Sequence, residues 1–492
     1  MDDPDSPDIR SFKPVYCLHA EFRGHPVYLY HILRLSLREK MRTNKRIHIS
    51  PLLFISVVLL AALLLSLSLK SPGYNVILIT ADSLRPDHLG CYGYKRQTTP
   101  CLDKFAEDSA LFTQAIAHSS HTPVSAGSIL AGDYLSKHGI EAWGYTFDPA
   151  VPNIAEILKK NGYKTIFISH PHFKQLAGFQ RGFGLFLIED VPEDKIIPSA
   201  IRQLEKLKNK KFFMWIHYMG THAPYFAPED YLGMFLNDRF YNPRNKLPVV
   251  QEGPTHYGFK GIPEWLVVNG IKNPDFYIAA YDASIRFFDW QLNSLFEKLK
   301  ELGLYKKTLI IITSDHGELL GEHGYYFHHG FFLYEPLIKV PLVIHADNFL
   351  KGKIIKQQVE ASVDIVPTII DMLKIKTKVR FDGSSLIPLM LGKENSHKEF
   401  AFLDRGTIQT AIRMPPWKLI RYNHYPTVTY ELYNIDKDPQ ESVDLIKARP
   451  EIFQSLKKKL DDYSKSALKN RRARKPMDEK SKEKLRSLGY VQ

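Results

Sequence analysis

Two places in this chain set a carboxylate at the end of a short apolar run. Asn75 to Thr80 (NVILIT) leads into Ala81-Asp82-Ser83, and Leu309 to Ile312 leads into Thr313-Ser314-Asp315-His316-Gly317. Apolar, β-branched runs of this length suit strands buried on both faces of a parallel sheet. Open α/β sheets bind ligands at the carboxyl ends of such strands. An adjacent Asp and His offer a hard oxygen and a borderline nitrogen to a divalent metal, although a polar turn after a strand has the same composition. A third stretch, Ser119 to Gly132 (SSHTPVSAGSILAG), has the small residues of a tight strand-to-helix turn, with Thr122 just ahead of a helix that Val124 to Leu130 could form. A helix start offers N–H groups and positive dipole to an anion. A threonine hydroxyl there, beside a metal, could act as a nucleophile; taken alone, Thr122 reads as a helix N-cap.

The elements that must position these groups follow from periodicity. Tyr163 to Ser169 and Lys211 to His217 read as further strands, the second delivering His217 and, five residues on, His222; Val340 to His345 supplies one more. Asn153 with Glu156 imitates a capping box. Apolar residues at 278, 281, 285, 288, 292, 295 and 299 mark one long helix. Strands alternating with helices predict an α/β fold with a mostly parallel central sheet flanked by helices, over residues 74–392. Beyond about Gly392, Trp417 to Arg421 and Tyr430 to Tyr433 read as two paired strands, followed by a charged helix from Pro450 to about Lys459. Residues 393–492 are therefore expected to form a small antiparallel α+β subdomain with a basic tail.

The net charge of +13 on 492 residues is concentrated at the two ends. That distribution argues against a nucleic-acid face and for membrane topology plus a solvated tail. Pro51 to Leu69 is 19 residues without a charge, enough for one helix across a bilayer of about 30 Å. The basic flank before it keeps the amino end cytoplasmic. The expected order is a largely unstructured cytoplasmic stretch (1–46), a signal-anchor helix (47–70), and a catalytic domain on the exported side of the cell membrane. Met41, followed by Arg-Thr-Asn-Lys-Arg, offers an alternative start to Met1. Three cysteines, Cys17, Cys91 and Cys101, make no disulfide framework. Nothing in the sequence speaks to oligomeric state.

Many collinear motifs accompany the two carboxylates. They include Asp82 to Gly93 (DSLRPDHLGCYG), Thr99 to Asp103 (TPCLD), His217-Tyr218-Met219 with His222-Ala223-Pro224-Tyr225, Tyr281-Asp282 with Asp289, Tyr334-Glu335-Pro336, and Asp382 to Leu386 (DGSSL). Together with Thr313 to Gly317 they resemble the sulfatase and alkaline phosphatase superfamily from about Tyr74 to the end. The resemblance implies an alkaline phosphatase/sulfatase-like fold and one divalent metal (Mn, Zn, Mg or Ca) on Asp82, Asp315, His316 and the Thr122 oxygen. It implies His222 and His329 near the leaving group or the anion, whereas His217 and His323 are expected to be structural or to stand behind the ligands. Four departures matter. Sulfatases resemble C/S-x-P-x-R at the nucleophile, but Thr122 and Ala126 stand at its first and last positions. Ser83 replaces a second aspartate, and His329 stands where many have lysine. These changes move towards the superfamily's phosphonate hydrolases, lipoteichoic acid synthases and phosphoethanolamine transferases, the last two of which use threonine.

Threonine cannot become the formylglycine aldehyde, so a covalent ester on Thr122 must be resolved at the central atom by water or an alcohol. That is feasible at phosphorus. The expectation is therefore a membrane-anchored, metal-dependent enzyme that cleaves or transfers a phospho- (or sulfo-) ester through Thr122, with Thr122, His222 and His329 catalytic. A lipid-linked or cell-envelope glycan substrate suits the tether. The alternatives are sulfuric ester hydrolysis without formylglycine, and a non-catalytic binding module.

Overall fold

The computed structural model describes residues 73–470 apart from 189–192, 252–257, 348–351, 394–397, 399, 407 and 425–426. The expected signal-anchor helix and the closing basic tail lie outside these residues. Among the described residues no helix is long and apolar enough to cross a membrane.

The central sheet is built from β1 (Asn75–Ala81), β2 (Ala110–Ile116), β3 (Lys164–Ile168), β4 (Leu185–Leu187), β5 (Phe212–Tyr218), β6 (Thr308–Thr313), β7 (Lys339–His345) and β8 (Lys353–Ile355), in the order β8-β2-β7-β6-β1-β5-β3-β4, with Val359–Glu360 also paired to β2. The expected parallel character holds from β6 to β4. It fails at β7, which runs antiparallel to both β2 and β6 and makes the sheet mixed. A buried run such as VPLVIH carries no mark of strand direction, because both its faces are covered either way.

Alternate residues of each central strand enter opposite cores. Val76, Leu78, Leu309, Ile311, Phe213 and Trp215 point to one side. There they meet α2 (Thr122–Ala131), α3 (Ile154–Lys160) and α6 (Ala361–Met372). Ile77, Ile79, Ile310, Ile312, Met214 and Ile216 point to the other, against α1 (Pro100–Glu107), α4 (Ile196–Leu207) and α5 (Pro274–Glu301). The expected long helix is α5, with Asn273 accepting the Asp275 N–H at its start. The expected capping box at Asn153 and Glu156 is formed in both directions.

The C-terminal sheet has four antiparallel strands, β9 (Ala401–Asp404), β10 (Gln409–Met414), β11 (Trp417–His424) and β12 (Thr427–Asn434), followed by α7 (Pro450–Asn470). The two expected strands pair as β11 and β12, whereas β9 and β10 were not legible. Asp404 N–H donates to the His118 carbonyl at 2.9 Å, which ties β9 to the segment leading into α2.

Candidate active site

The three neighbouring strands β6, β1 and β5 deliver the site. Asp82, Asp315 and His316 are all fully buried, and each offers a ligand atom within 4.8 Å of the others. His316 Nε2 lies 3.4 Å from Asp315 Oδ2 and 3.7 Å from Asp82 Oδ1. Thr122 Oγ1 lies 2.9 Å from His316 Nε2 and 3.3 Å from Asp82 Oδ2. All four expected ligands therefore come together at one point.

The loops that hold them are cross-braced. After β1 the chain turns through Ser83 at φ 60°, a left-handed conformation uncommon for a non-glycine residue and a mark of local strain. Ser83 Oγ donates to Asp82 Oδ1 at 2.8 Å. Tyr281, from α5, donates to the Ser83 carbonyl at 2.8 Å and accepts the Arg85 N–H at 2.9 Å. Ser314 Oγ sits 2.6 Å from the Ala81 carbonyl and accepts the Leu84 N–H at 3.0 Å, which stitches the two strand ends together. Gly317 is required by close approach: a Cβ there would stand 2.0 Å from the Pro336 carbonyl oxygen.

Thr122 is the first residue of α2 and not its N-cap. The His121 carbonyl already accepts the Ser125 N–H at 3.1 Å, so the helix starts two residues before the expected Val124. The Thr122 hydroxyl consequently faces Asp82 and His316. Ala126, one turn on, is buried and apolar.

The donor set fits a divalent cation. His316 Nδ1–H donates to the Gly317 carbonyl at 2.9 Å, which leaves the Nε2 lone pair turned to the carboxylates and Thr122. Asp315 Oδ2 is buried without a hydrogen-bond partner among the described residues. Burial and the charge of Asp82 push the Asp315 carboxyl up. Burial also opposes ionisation of Asp82, but His222, His217 and His316 outweigh it and hold that carboxyl well below its usual range. Two buried carboxylates, one with an unsatisfied oxygen, beside an imidazole lone pair and a hydroxyl are what a hard to borderline cation takes.

His222 and His329 both line the same cleft, which has a volume of about 920 Å³. Their ring centroids are 4.8 Å apart, and His329 stacks on His316 at 4.4 Å. His222 Nδ1–H donates to the Ala223 carbonyl at 2.5 Å, and His329 Nδ1 is 3.1 Å from Glu318 Oε1. Burial and the neighbouring His316 and His222 push His329 well below the usual imidazole range. His323 stacks on Tyr334 with centroids 3.6 Å apart.

His217 stands directly behind a candidate ligand. Its Nε2 lies 3.3 Å from Asp82 Oδ2, and its Nδ1 lies 2.7 Å from Thr80 Oγ1. Thr80 accepts Trp215 Nε1–H at 2.9 Å. The Thr80 proton is then free to go to His217 Nδ1, which points an Nε2–H at Asp82. Trp143, His170, His172, Trp265 and Arg405 also line the cleft and were not anticipated.

The chain matches the Sulfatase family over residues 74–375 and N-sulphoglucosamine sulphohydrolase, C-terminal, over residues 321–466. It is 24% identical to a Formosa agariphila protein named Sulfatase, covering 75% of this chain and 82% of that one. It is 23% identical to an N-acetylglucosamine-6-O-sulfatase of Bacteroides thetaiotaomicron, covering 79% and 86%. Among solved structures, BT4656 in complex with its substrate D-glucosamine-2-N,6-O-disulfate superposes with TM-score 0.67 at 21% identity, over 81% of this chain and 98% of that one. The phosphonate monoester hydrolase of Agrobacterium radiobacter does so with TM-score 0.67 at 20% identity, over 80% and 96%.

Proposed function

We propose, from the premise that this chain belongs to the sulfatase family, that it is a metal-dependent enzyme which cleaves or transfers a phospho-ester group through a covalent Thr122 ester. One observation carries the reading: a threonine hydroxyl lies 2.9 Å from His316 Nε2 and 3.3 Å from Asp82 Oδ2, with alanine in place of arginine four residues on. Asp82, Asp315, His316 and Thr122 would hold the cation, which when bound supplies charge neutralisation at the ester oxygens and acidifies a neighbouring hydroxyl. Thr122 Oγ1 attacks the central atom in line, forming one oxygen bond as the bond to the leaving oxygen breaks. Asp82 Oδ2, 3.3 Å from Thr122 Oγ1, accepts the departing hydroxyl proton. His222 or His329 gives a proton to the leaving oxygen. Water or an acceptor alcohol then displaces the group from Thr122.

The uncharged run from Pro51 to Leu69 supports a single-pass membrane protein with this domain exported, where lipid-linked or envelope-glycan esters are within reach. A second reading, sulfate-ester hydrolysis without formylglycine, is supported by the names of the relatives, an N-acetylglucosamine-6-O-sulfatase among them. Intact-mass measurement of the full-length protein after incubation with an aryl phosphodiester tests the two. The expected result is a phospho-adduct that maps to Thr122 and is absent from Thr122→Ala, with turnover falling at least about 10³-fold. Full turnover in Thr122→Ala would overturn the mechanism. Turnover of an aryl sulfate in preference to the phosphodiester would favour the second reading.

A further inference from the structure

We infer that a basic hollow beside the cleft is a second anion-binding site, which grips a distant charged group of an anionic glycan. The hollow encloses about 410 Å³. Lys95 and Arg96 reach it from the loop between β1 and α1. Met234, Arg239 and Phe240 come from the helix Glu229–Leu236 and the turn after it, and Arg286 comes from α5. Among the described residues the one carboxylate in its wall is Asp238, already held 2.7 Å from Arg96 Nε. Arg96 also meets the buried Asp282 at 2.7 Å, and Arg286 meets Asp289 at 3.1 Å. Lys95 and Arg239 are exposed and meet no carboxylate among the described residues. The Arg239 guanidinium lies 4.9 Å from the Phe240 ring centroid, which keeps it at the wall. Positive charge is therefore in excess inside a concavity, and arginine forks suit the oxygens of a sulfate or phosphate group.

A row of aromatic rings joins this hollow to the cleft. Phe226 and Trp265 line the cleft with Thr122 and Asp82, and both stay exposed. The Phe226 centroid is 6.1 Å from that of Phe287, which stacks on Trp290 at 5.8 Å with the planes 11° apart. Trp290 is 53% exposed. It lies one helical turn beyond Arg286, a wall of the hollow. Aromatic faces are negative and attract the weakly positive C–H faces of pyranose rings. Sugar rings stacked along the row would carry one anionic group to the cleft and another to the hollow. A bilayer fits the surface less well, because its unpaired cations sit in a concavity and not around a protruding apolar face. The direction given to the glycan rests on the reading of the cleft above; the hollow itself does not.

Titration calorimetry of the full-length protein, held in phosphatidylcholine nanodiscs, with a heparin octasaccharide at several salt concentrations tests the assignment. Lys95→Gln with Arg239→Gln should weaken binding by about 10-fold and reduce its salt slope by about one to two. Trp290→Ala should weaken it by about 5-fold with the slope unchanged, and Trp290→Phe should restore most of the loss. The charge-matched pair Lys306→Gln with Lys307→Gln, exposed lysines away from the row, should change affinity by less than about 2-fold. Bound octasaccharide should protect Lys95 from acetylation and leave Lys306 labelled at its free rate. Polyphosphate, which has no rings, should feel the Lys95 and Arg239 pair and not Trp290→Ala. Absence of Lys95 protection overturns the inference, as does an equal loss in the Lys306 and Lys307 pair. Tighter binding of dioctanoyl phosphatidylglycerol than of the octasaccharide, through the same two cations, assigns the hollow to lipid and also overturns it. Binding needs no turnover, so a wild type inactive on aryl phosphodiesters would overturn the functional reading and leave the hollow standing.

Discussion

Asp315 carries a buried carboxylate oxygen that meets no donor among the described residues, within reach of a second buried carboxylate. Such a group is costly to fold and useful only if something positive joins it. Replacing it by asparagine should therefore have opposite effects on two measurements. In chelator-treated protein, Asp315→Asn should raise stability by about 1 kcal/mol, because the burial and like-charge penalties disappear. In the same variant, affinity for divalent metal should fall by about 10-fold or more, read by titration calorimetry. Equal metal affinity in the two proteins would remove the cation from the account. Asp82, Asp315, His316 and Thr122 were legible in the sequence because each closes or opens a local apolar pattern. The cleft-lining Trp143, His170, His172, Trp265 and Arg405 were not, because their meeting depends on how segments far apart in the chain pack, and no spacing rule encodes that.

Elements transmit these positions, and one joint between them is sensitive to pH. His118, two residues past β2, uses both nitrogens: Nδ1–H donates to the Phe402 carbonyl at 2.9 Å, and Nε2 accepts the Leu135 N–H at 3.3 Å. Burial pushes this imidazole down to about 4. A folded-state value below the unfolded one means that the unfolded chain binds more protons in the interval. The contribution is present above the ordinary value of about 6.5 and is lost as pH falls through about 4, for a total of about 3 kcal/mol. Unfolding free energies of wild type and His118→Gln from urea titrations should therefore converge by about 2 kcal/mol between pH 7 and pH 5. A constant gap would show that His118 does not titrate in that window. The strand and helix framework was largely readable, since buried strands and the α5 stripe have strong periods. The reversal of β7 and the strands β9 and β10 were not, because pairing direction and edge pairing are decided between segments far apart in the chain.

At the scale of the molecule, the C-terminal sheet is locked to the catalytic sheet by buried charge. Lys418 Nζ lies 2.8 Å from Glu441 Oε1 and 3.3 Å from Glu335 Oε1, and Arg413 reaches Glu335 Oε2 at 2.9 Å. Burial works against the Glu335 carboxylate, but Arg413 and Lys418 outweigh it and bring the carboxyl down to about 2. Removing one partner of such a group strands the others. Lys418→Met should thus cost about 3–5 kcal/mol of stability at neutral pH, measured by denaturant unfolding, and a loss below 1 kcal/mol would count against the network as a clamp. Glu335 also opens the segment whose Pro336 carbonyl packs on Gly317, so the clamp reaches the floor of the site.

Arg405 follows β9, in the part of the chain that follows every candidate ligand, yet it lines the same cleft as Thr122. The candidate ligands and a cation that lines the same cleft are thus written in separate passages of one chain. A lineage could retune what it accepts by exchanging a single hairpin, with its cutting chemistry left intact.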